Sequence, residues 1–210
     1  MFFVTVGSSQ ELYEEMLRAM CSRCDELHCG VDLTKVIVDF EQAIINANNA
    51  VLGQQVTVQG CFYHLTQSTW RHIQALGMVP FYNSNDEVKG FCCMIDALSF
   101  LPVTDVPNSM AYLRSNVPDC KVTDDLEELL NYFDKTYVSE THRIIQRPNH
   151  DDASIPILRI RRSPPLFPPG SWNVHVATLR GDPEQTILVK PGIIHSARWL
   201  GTVIRQYLQL

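Results

Sequence analysis

Two short runs of β-branched residues, each followed at once by a helix-forming segment, constrain the fold more than any other feature. Val36-Ile37-Val38 is typical of a buried strand that ends in Asp39, and a second strand is expected over Gln55–Gln59. The helices are expected over Phe40–Val51 and Cys61–Leu76. This strand–helix–strand–helix order predicts parallel strands with helices packed on their faces, and therefore an α/β fold.

More amphipathic helices flank this unit. A capping box at Ser8-Ser9-Gln10-Glu11 predicts a helix from Ser9 to Glu26, whose apolar stripe includes Leu17, Cys21 and Cys24. After the second strand, Ser84-Asn85, Thr104 and Thr123 are N-cap candidates for three consecutive helices. Their predicted buried positions are Val88, Phe91, Cys92, Ile95 and Leu98, then Val106, Met110 and Leu113, then Leu126, Leu129, Leu130, Phe133 and Tyr137. The three helices predict an all-helical insertion.

Prolines at 148, 156, 164, 165, 168 and 169 change the character of the chain from Thr141 onwards. They exclude a continuous helix or a central strand, so an extended connector is expected. A strand over Trp172–Thr178 and a helix over Ala197–Leu208 are expected after it. The predicted division is therefore 1–83 for the α/β part, 84–140 for the helical insertion and 141–210 for the connector and return.

Composition limits the class of protein. An apolar share of 45% in 210 residues is enough for a core, and the apolar start at 1–6 is too short for a signal peptide or a membrane span. Seven cysteines without regular spacing favour a reducing, intracellular compartment over a disulfide framework. Nucleotide-binding glycine loops and nucleophile elbows are absent from the sequence, which argues against those enzyme classes.

The net charge of −6 is distributed unevenly. Residues 1–140 hold 8 Lys and Arg against 19 Asp and Glu, whereas residues 141–210 hold 9 against 4. Five arginines form what we call the arginine strip: Arg143, Arg147, Arg159, Arg161 and Arg162. They predict weak, sequence-independent and salt-dependent binding to DNA, although a solvated linker explains them equally well.

An ordered motif surrounds the two strands. Asp39-Phe40-Glu41-Gln42-Ala43 is followed by Gly60-Cys61-Phe62-Tyr63-His64-Leu65-Thr66-Gln67, by Ala97-Leu98-Ser99-Phe100-Leu101-Pro102 and by Phe167-Pro168-Pro169-Gly170-Ser171-Trp172-Asn173-Val174. In order and spacing this pattern resembles Mutator-like element (MULE) transposase domains. The resemblance implies a partial ribonuclease-H-like domain, comprising the second half of the sheet with an all-helical insertion, together with DNA transposition chemistry and a nuclear location.

The resemblance also implies a catalytic and metal-binding role for Asp39. Such domains use two Mg²⁺ or Mn²⁺ ions held by several carboxylates. The family's first Asp precedes the part that matches here, and Gly181-Asp182-Pro183-Glu184 stands where its last Glu is expected. We therefore expect a catalytically inactive remnant that binds no metal stably, in which Asp39 caps the following helix. Glu41, in the first turn, is explained by the helix dipole.

Cys61 and His64 are further candidate metal ligands. They lie three residues apart on one helix face, but a closed zinc site takes four ligands. The resemblance implies active-site support or a DNA contact for this pair, and packing of a small buried Cys beside a hydrogen-bonded His is the alternative. Cys21-x-x-Cys24 is half of a zinc motif, yet both cysteines also continue an apolar helix stripe.

Three functional hypotheses remain. The chain is an inactive remnant, or an active nuclease or transposase completed by a longer isoform or a partner chain, or a small zinc or thiol module.

In the fold that it resembles, a hairpin pairs with the strand that ends in Asp39. Without that hairpin, Val36-Ile37-Val38 has an unpaired edge, which predicts self-association.

Overall fold

The computed structural model describes residues 8–28, 33–147 and 157–181. This part of the chain is an α/β structure, mostly helical, with two separate two-stranded sheets. It clusters into two compact units, Met1–Leu65 and Thr66–Leu210, whose boundary falls within a helix. The elements are α1 Gln10–Glu26, β1 Lys35–Val38, α2 Gln42–Leu52, β2 Thr57–Gly60, α3 Phe62–Ala75, α4 Val79–Ser84, α5 Asp86–Ala97, α6 Val106–Ser115, α7 Thr123–Phe133, β3 Thr141–Arg147, β4 Ile157–Ser163 and α8 His175–Arg180.

The first unit confirms the predicted strand–helix–strand order. β1 and β2 pair in parallel, with Val38 opposite Gly60, and α2 makes the crossover that a parallel pair requires. α1 packs against α2, buries Leu17 and is N-capped by Ser9, whose hydroxyl accepts a hydrogen bond from the Leu12 amide at 3.4 Å. A ribonuclease-H-like sheet stays a prediction, because two parallel strands are common to many α/β folds.

We expect the purified chain to self-associate through the outer edge of β1. Within the described residues β1 pairs with β2 alone, so its other edge presents unpaired backbone groups. Light scattering at several protein concentrations would show oligomers whose mass rises with concentration. A monodisperse monomer at all concentrations would contradict this prediction.

The second unit confirms the predicted amphipathic helices. Every position predicted to be buried in α5, α6 and α7 is buried, as are Leu98 and Tyr137 just beyond α5 and α7. The Asn85 side chain caps α5 by accepting hydrogen bonds from the Glu87 and Val88 amides. The short helix α4 was not predicted. It starts anew after Gly77, whose φ of +70° ends the preceding helix.

The predicted strand over Trp172–Thr178 is wrong. Trp172 begins an irregular turn that leads into α8, because the residues after it hydrogen-bond to the segment that follows α5 instead of to a partner strand. The Asn173 amide group donates to the Leu101 carbonyl at 2.7 Å, and its Oδ1 accepts from the His175 amide. The Val174 amide donates to the Ser99 carbonyl at 2.8 Å. These contacts join two segments of the ordered sequence motif, Ala97–Pro102 and Phe167–Val174.

The predicted connector without paired strands is also corrected. β3 and β4 form an antiparallel ribbon, with Thr141 opposite Ser163 and Arg147 opposite Ile157. The prolines lie outside both strands, so they bound the ribbon rather than prevent it.

The predicted helix over Ala197–Leu208 lies outside the described residues. Among the described helices, none is long and apolar enough to cross a bilayer. The three-part division at residues 83 and 140 stays a prediction.

Candidate functional site

The strand-end site lies where β1 and β2 finish. The Cys61 amide donates to the Val38 carbonyl at 2.7 Å, so Asp39 and Cys61 follow neighbouring strands at the same edge of the sheet. Asp39 is exposed, and Cys61 is half-buried at the start of α3. Carboxyl ends of parallel strands are the usual places for ligand-binding side chains in α/β folds. The structure therefore brings together Asp39 and Cys61, as the strand pattern predicts.

Asp39 does not cap α2, which corrects the expected structural role. The N-cap position belongs to Glu41, and Phe40 also lies between Asp39 and the helix. Glu41 makes no side-chain capping bond; its Oε2 accepts a hydrogen bond from the Tyr13 hydroxyl at 2.9 Å. Partial loss of solvent raises the pKa of Tyr13, and the Glu41 and Asp39 carboxylates raise it further. Glu41 thus ties α1 to the start of α2.

The donor set at this edge does not fit a pair of Mg²⁺ or Mn²⁺ ions. The described part of the chain contains no group of three His, Cys, Asp or Glu placed to hold a metal. Hard divalent cations need several oxygen ligands, and Asp39 supplies one carboxylate. His64 Nδ1 is buried without a hydrogen-bond partner among the described residues, which leaves it as one nitrogen donor near Cys61 in sequence. The catalytic and metal-binding roles of Asp39, Cys61 and His64 stay predictions.

Cys21 and Cys24 behave as the apolar-stripe interpretation expects. Both are half-buried free thiols on α1, on the side of the helix that carries the buried Leu17. Within the described residues no three-ligand group includes them.

The arginine strip lies on the β3–β4 ribbon. Arg143 stands directly opposite Arg161, and His142 stands opposite Arg162. The side chains of His142, Arg161 and Arg162 are exposed. Neither strand contains an Asp or Glu, so the ribbon concentrates positive charge that the sequence shows only as scattered arginines.

A buried carboxyl in the second unit was not predicted from the sequence. Asp96 Oδ1 is buried and has no hydrogen-bond partner among the described residues, while the Thr69 side chain hydrogen-bonds to the carboxyl group. Burial raises the pKa of Asp96 to about 7. The titratable groups around it are Tyr82, Cys92, Cys93 and Tyr137, and burial raises the pKa of each. We call these residues the Asp96 cluster.

A hydroxyl network lies in the same unit. Ser68 Oγ bonds to the Tyr132 hydroxyl and accepts from the Tyr137 hydroxyl at 3.0 Å, and His72 stacks on Tyr132 with ring centroids 4.0 Å apart. The sequence analysis missed this network, although the spacing of Ser68 and His72 indicates it. They are four residues apart on α3 and therefore share one face of the helix. Asp96 likewise follows the buried Cys92 by four residues on α5. These hydrogen bonds hold α3 against α7 and against the turn that follows it.

Comparisons with family models, with curated proteins and with solved structures find no match to this chain. The resemblance to MULE transposase domains therefore rests on the motif residues themselves.

Proposed function

We propose that this chain is a remnant of a MULE transposase domain that does not catalyse DNA cleavage or joining and binds DNA weakly through the β3–β4 ribbon, which carries the arginines of the strip. One observation supports the family most directly. The parallel β1–α2–β2 unit carries Asp39 and Cys61 at one edge, in the order and spacing of the motif. A nuclear location belongs to the same proposal, since it follows from the resemblance.

Loss of catalysis is supported by the carboxylates at that edge. Two-metal phosphodiester chemistry needs ligands that bridge and flank both ions. Asp39 is the carboxylate that directly follows β1, whereas Cys61 directly follows β2. Glu41, the next acidic residue, is engaged by Tyr13 at 2.9 Å. No reaction step through a metal is derived from this set.

We expect the purified chain to leave DNA intact. Incubation of a labelled duplex with Mg²⁺ or Mn²⁺ would give no more nicked or joined product with the protein than without it, because one carboxylate does not hold the metal pair. Denaturing gels would measure the products.

The control compares Asp39→Asn with Asp105→Asn, since both aspartates are exposed and each change removes one charge. Cleavage that requires metal, disappears in Asp39→Asn and persists in Asp105→Asn would overturn the catalytic part of the proposal. It would favour instead an active nuclease or transposase with Asp39 as a ligand.

A further inference from the structure

The β3–β4 ribbon has two chemically different faces. Directly paired residues of an antiparallel ladder share a face, and successive residues along a strand alternate between faces. The register therefore places four arginine positions on one face, which we call the basic face: Arg143, Arg147, Arg159 and Arg161. Its other positions are Thr141, Ile145, Ile157 and Ser163. The fifth arginine of the strip, Arg162, falls on the opposite face.

The opposite face is mixed in character. It holds His142 opposite Arg162 and Ile144 opposite Ile160. Ile144 is 71% exposed and Ile160 is 69% exposed, so this part of the ribbon is not covered by the described residues of its own unit. Arg161, on the basic face, is exposed as well. Both faces are thus open to solvent at Arg161 and Arg162, the two adjacent arginines of β4.

The charge pattern of the ribbon is unfavourable for an isolated hairpin. Like charges directly opposite each other destabilise a strand pair, and Arg143 faces Arg161 without an acidic residue in either strand. Neither Arg161 nor Arg162 forms an ion pair within the described part of the chain. A two-stranded ribbon is also marginally stable by itself. A bound polyanion would remove the repulsion and supply contacts that the ribbon lacks.

We propose that the basic face of the ribbon lies along the phosphate backbone of a DNA duplex. This inference rests on the proposed DNA binding and adds which face of which element makes the contact. From Arg143 to Arg147 a strand extends about 13 Å, which corresponds to about four base-pair steps at 3.4 Å each. Along that length the four arginine positions fall at three levels about 6.6 Å apart, which is about two base-pair steps each. A two-stranded ribbon is also narrow enough to follow a groove of the duplex.

The test uses two neighbouring arginines as a matched pair. Arg161→Gln and Arg162→Gln remove the same charge from adjacent exposed positions on opposite faces. Fluorescence anisotropy with a labelled 20-base-pair duplex and the full chain would give the affinity at several salt concentrations. Thermal melts of both variants would show that each retains the fold of the parent.

We expect Arg161→Gln to weaken binding about eightfold at 0.1 M salt and to reduce the slope of log affinity against log salt by about 0.9, since one phosphate contact is lost. The double variant Arg143→Gln/Arg161→Gln should weaken binding about sixtyfold, and Arg162→Gln less than twofold.

Different failures have different meanings. A parent chain that does not bind the duplex even at low salt would refute the proposed DNA binding itself. Binding that Arg161→Gln and Arg162→Gln weaken equally would leave DNA binding intact and overturn the assignment to the basic face. A third outcome is that Arg161→Gln changes the oligomer mass in light scattering and leaves DNA affinity unchanged. The face would then be a contact with a second copy of the chain, and this inference would be wrong.

Discussion

Replacing Trp172 with Ala is expected to lower the free energy of unfolding by about 3–5 kcal/mol, the usual range for removing a fully buried aromatic side chain. Trp172 is 0% exposed and packs edge-on against Phe133, with ring centroids 5.8 Å apart. Its indole N–H donates to the carbonyls of Tyr137 and Phe167, each at 3.0 Å. The side chain thus joins the end of α7 to the segment after β4. Urea unfolding followed by circular dichroism would measure the loss.

Two further variants separate packing from hydrogen bonding at this position. Trp172→Phe keeps most of the apolar surface and loses both hydrogen bonds, so we expect a loss of about 1–2 kcal/mol. Leu166→Ala is the control, because Leu166 lies in the same segment and is 61% exposed; its change should stay within about 0.5 kcal/mol. If Trp172→Ala were no less stable than Leu166→Ala, the segment around Trp172 would not contribute to the core of the second unit.

The second large effect concerns Asp96 and pH. Burial raises its pKa from an ordinary value near 3.8 to about 7 in the folded chain. The folded state therefore holds the proton more tightly than the unfolded state, and this carboxyl stabilises the fold fully below about pH 4. That stabilisation is lost as the pH rises through about 7. Between pH 5 and pH 8 the expected loss is about 2–3 kcal/mol.

Asp96→Asn tests this expectation, because the amide cannot ionise and resembles the protonated carboxyl in shape. In urea unfolding, the free energy of unfolding should fall less from pH 5 to pH 8 for Asp96→Asn than for the parent. At pH 8 the variant should be more stable than the parent. Asp119→Asn, at an exposed position, should retain the pH dependence of the parent. Equal pH dependence in the parent and in Asp96→Asn would show that the carboxyl is solvated in the folded chain. The raised pKa values of the cysteines and tyrosines in the Asp96 cluster would then need another explanation.

The local order of elements follows closely from the amino-acid sequence. Hydrophobic periodicity predicted α5, α6 and α7, and every position that it marked as buried is buried, because an amphipathic helix needs one apolar stripe wherever it packs. The β-branched run before Asp39 predicted β1, and the parallel pairing followed from the intervening helix. The sequence therefore predicts Asp39 and Cys61 at one sheet edge, where the structure has them.

Tertiary structure decided what local patterns do not encode. The pairing of β3 with β4 depends on contacts between distant residues, so single-strand composition and nearby prolines indicated a connector instead. The same register separates Arg161 from Arg162, which are adjacent in sequence and lie on opposite faces. Asp96 reads as a polar interruption of an apolar helix, and only packing shows that its Oδ1 is buried. The sequence by itself thus determined the parallel strand pair, the amphipathic helices and the residues that those helices bury. Long-range packing determined the ribbon and where charge is concentrated or removed from water, because both depend on neighbours that are far away along the chain.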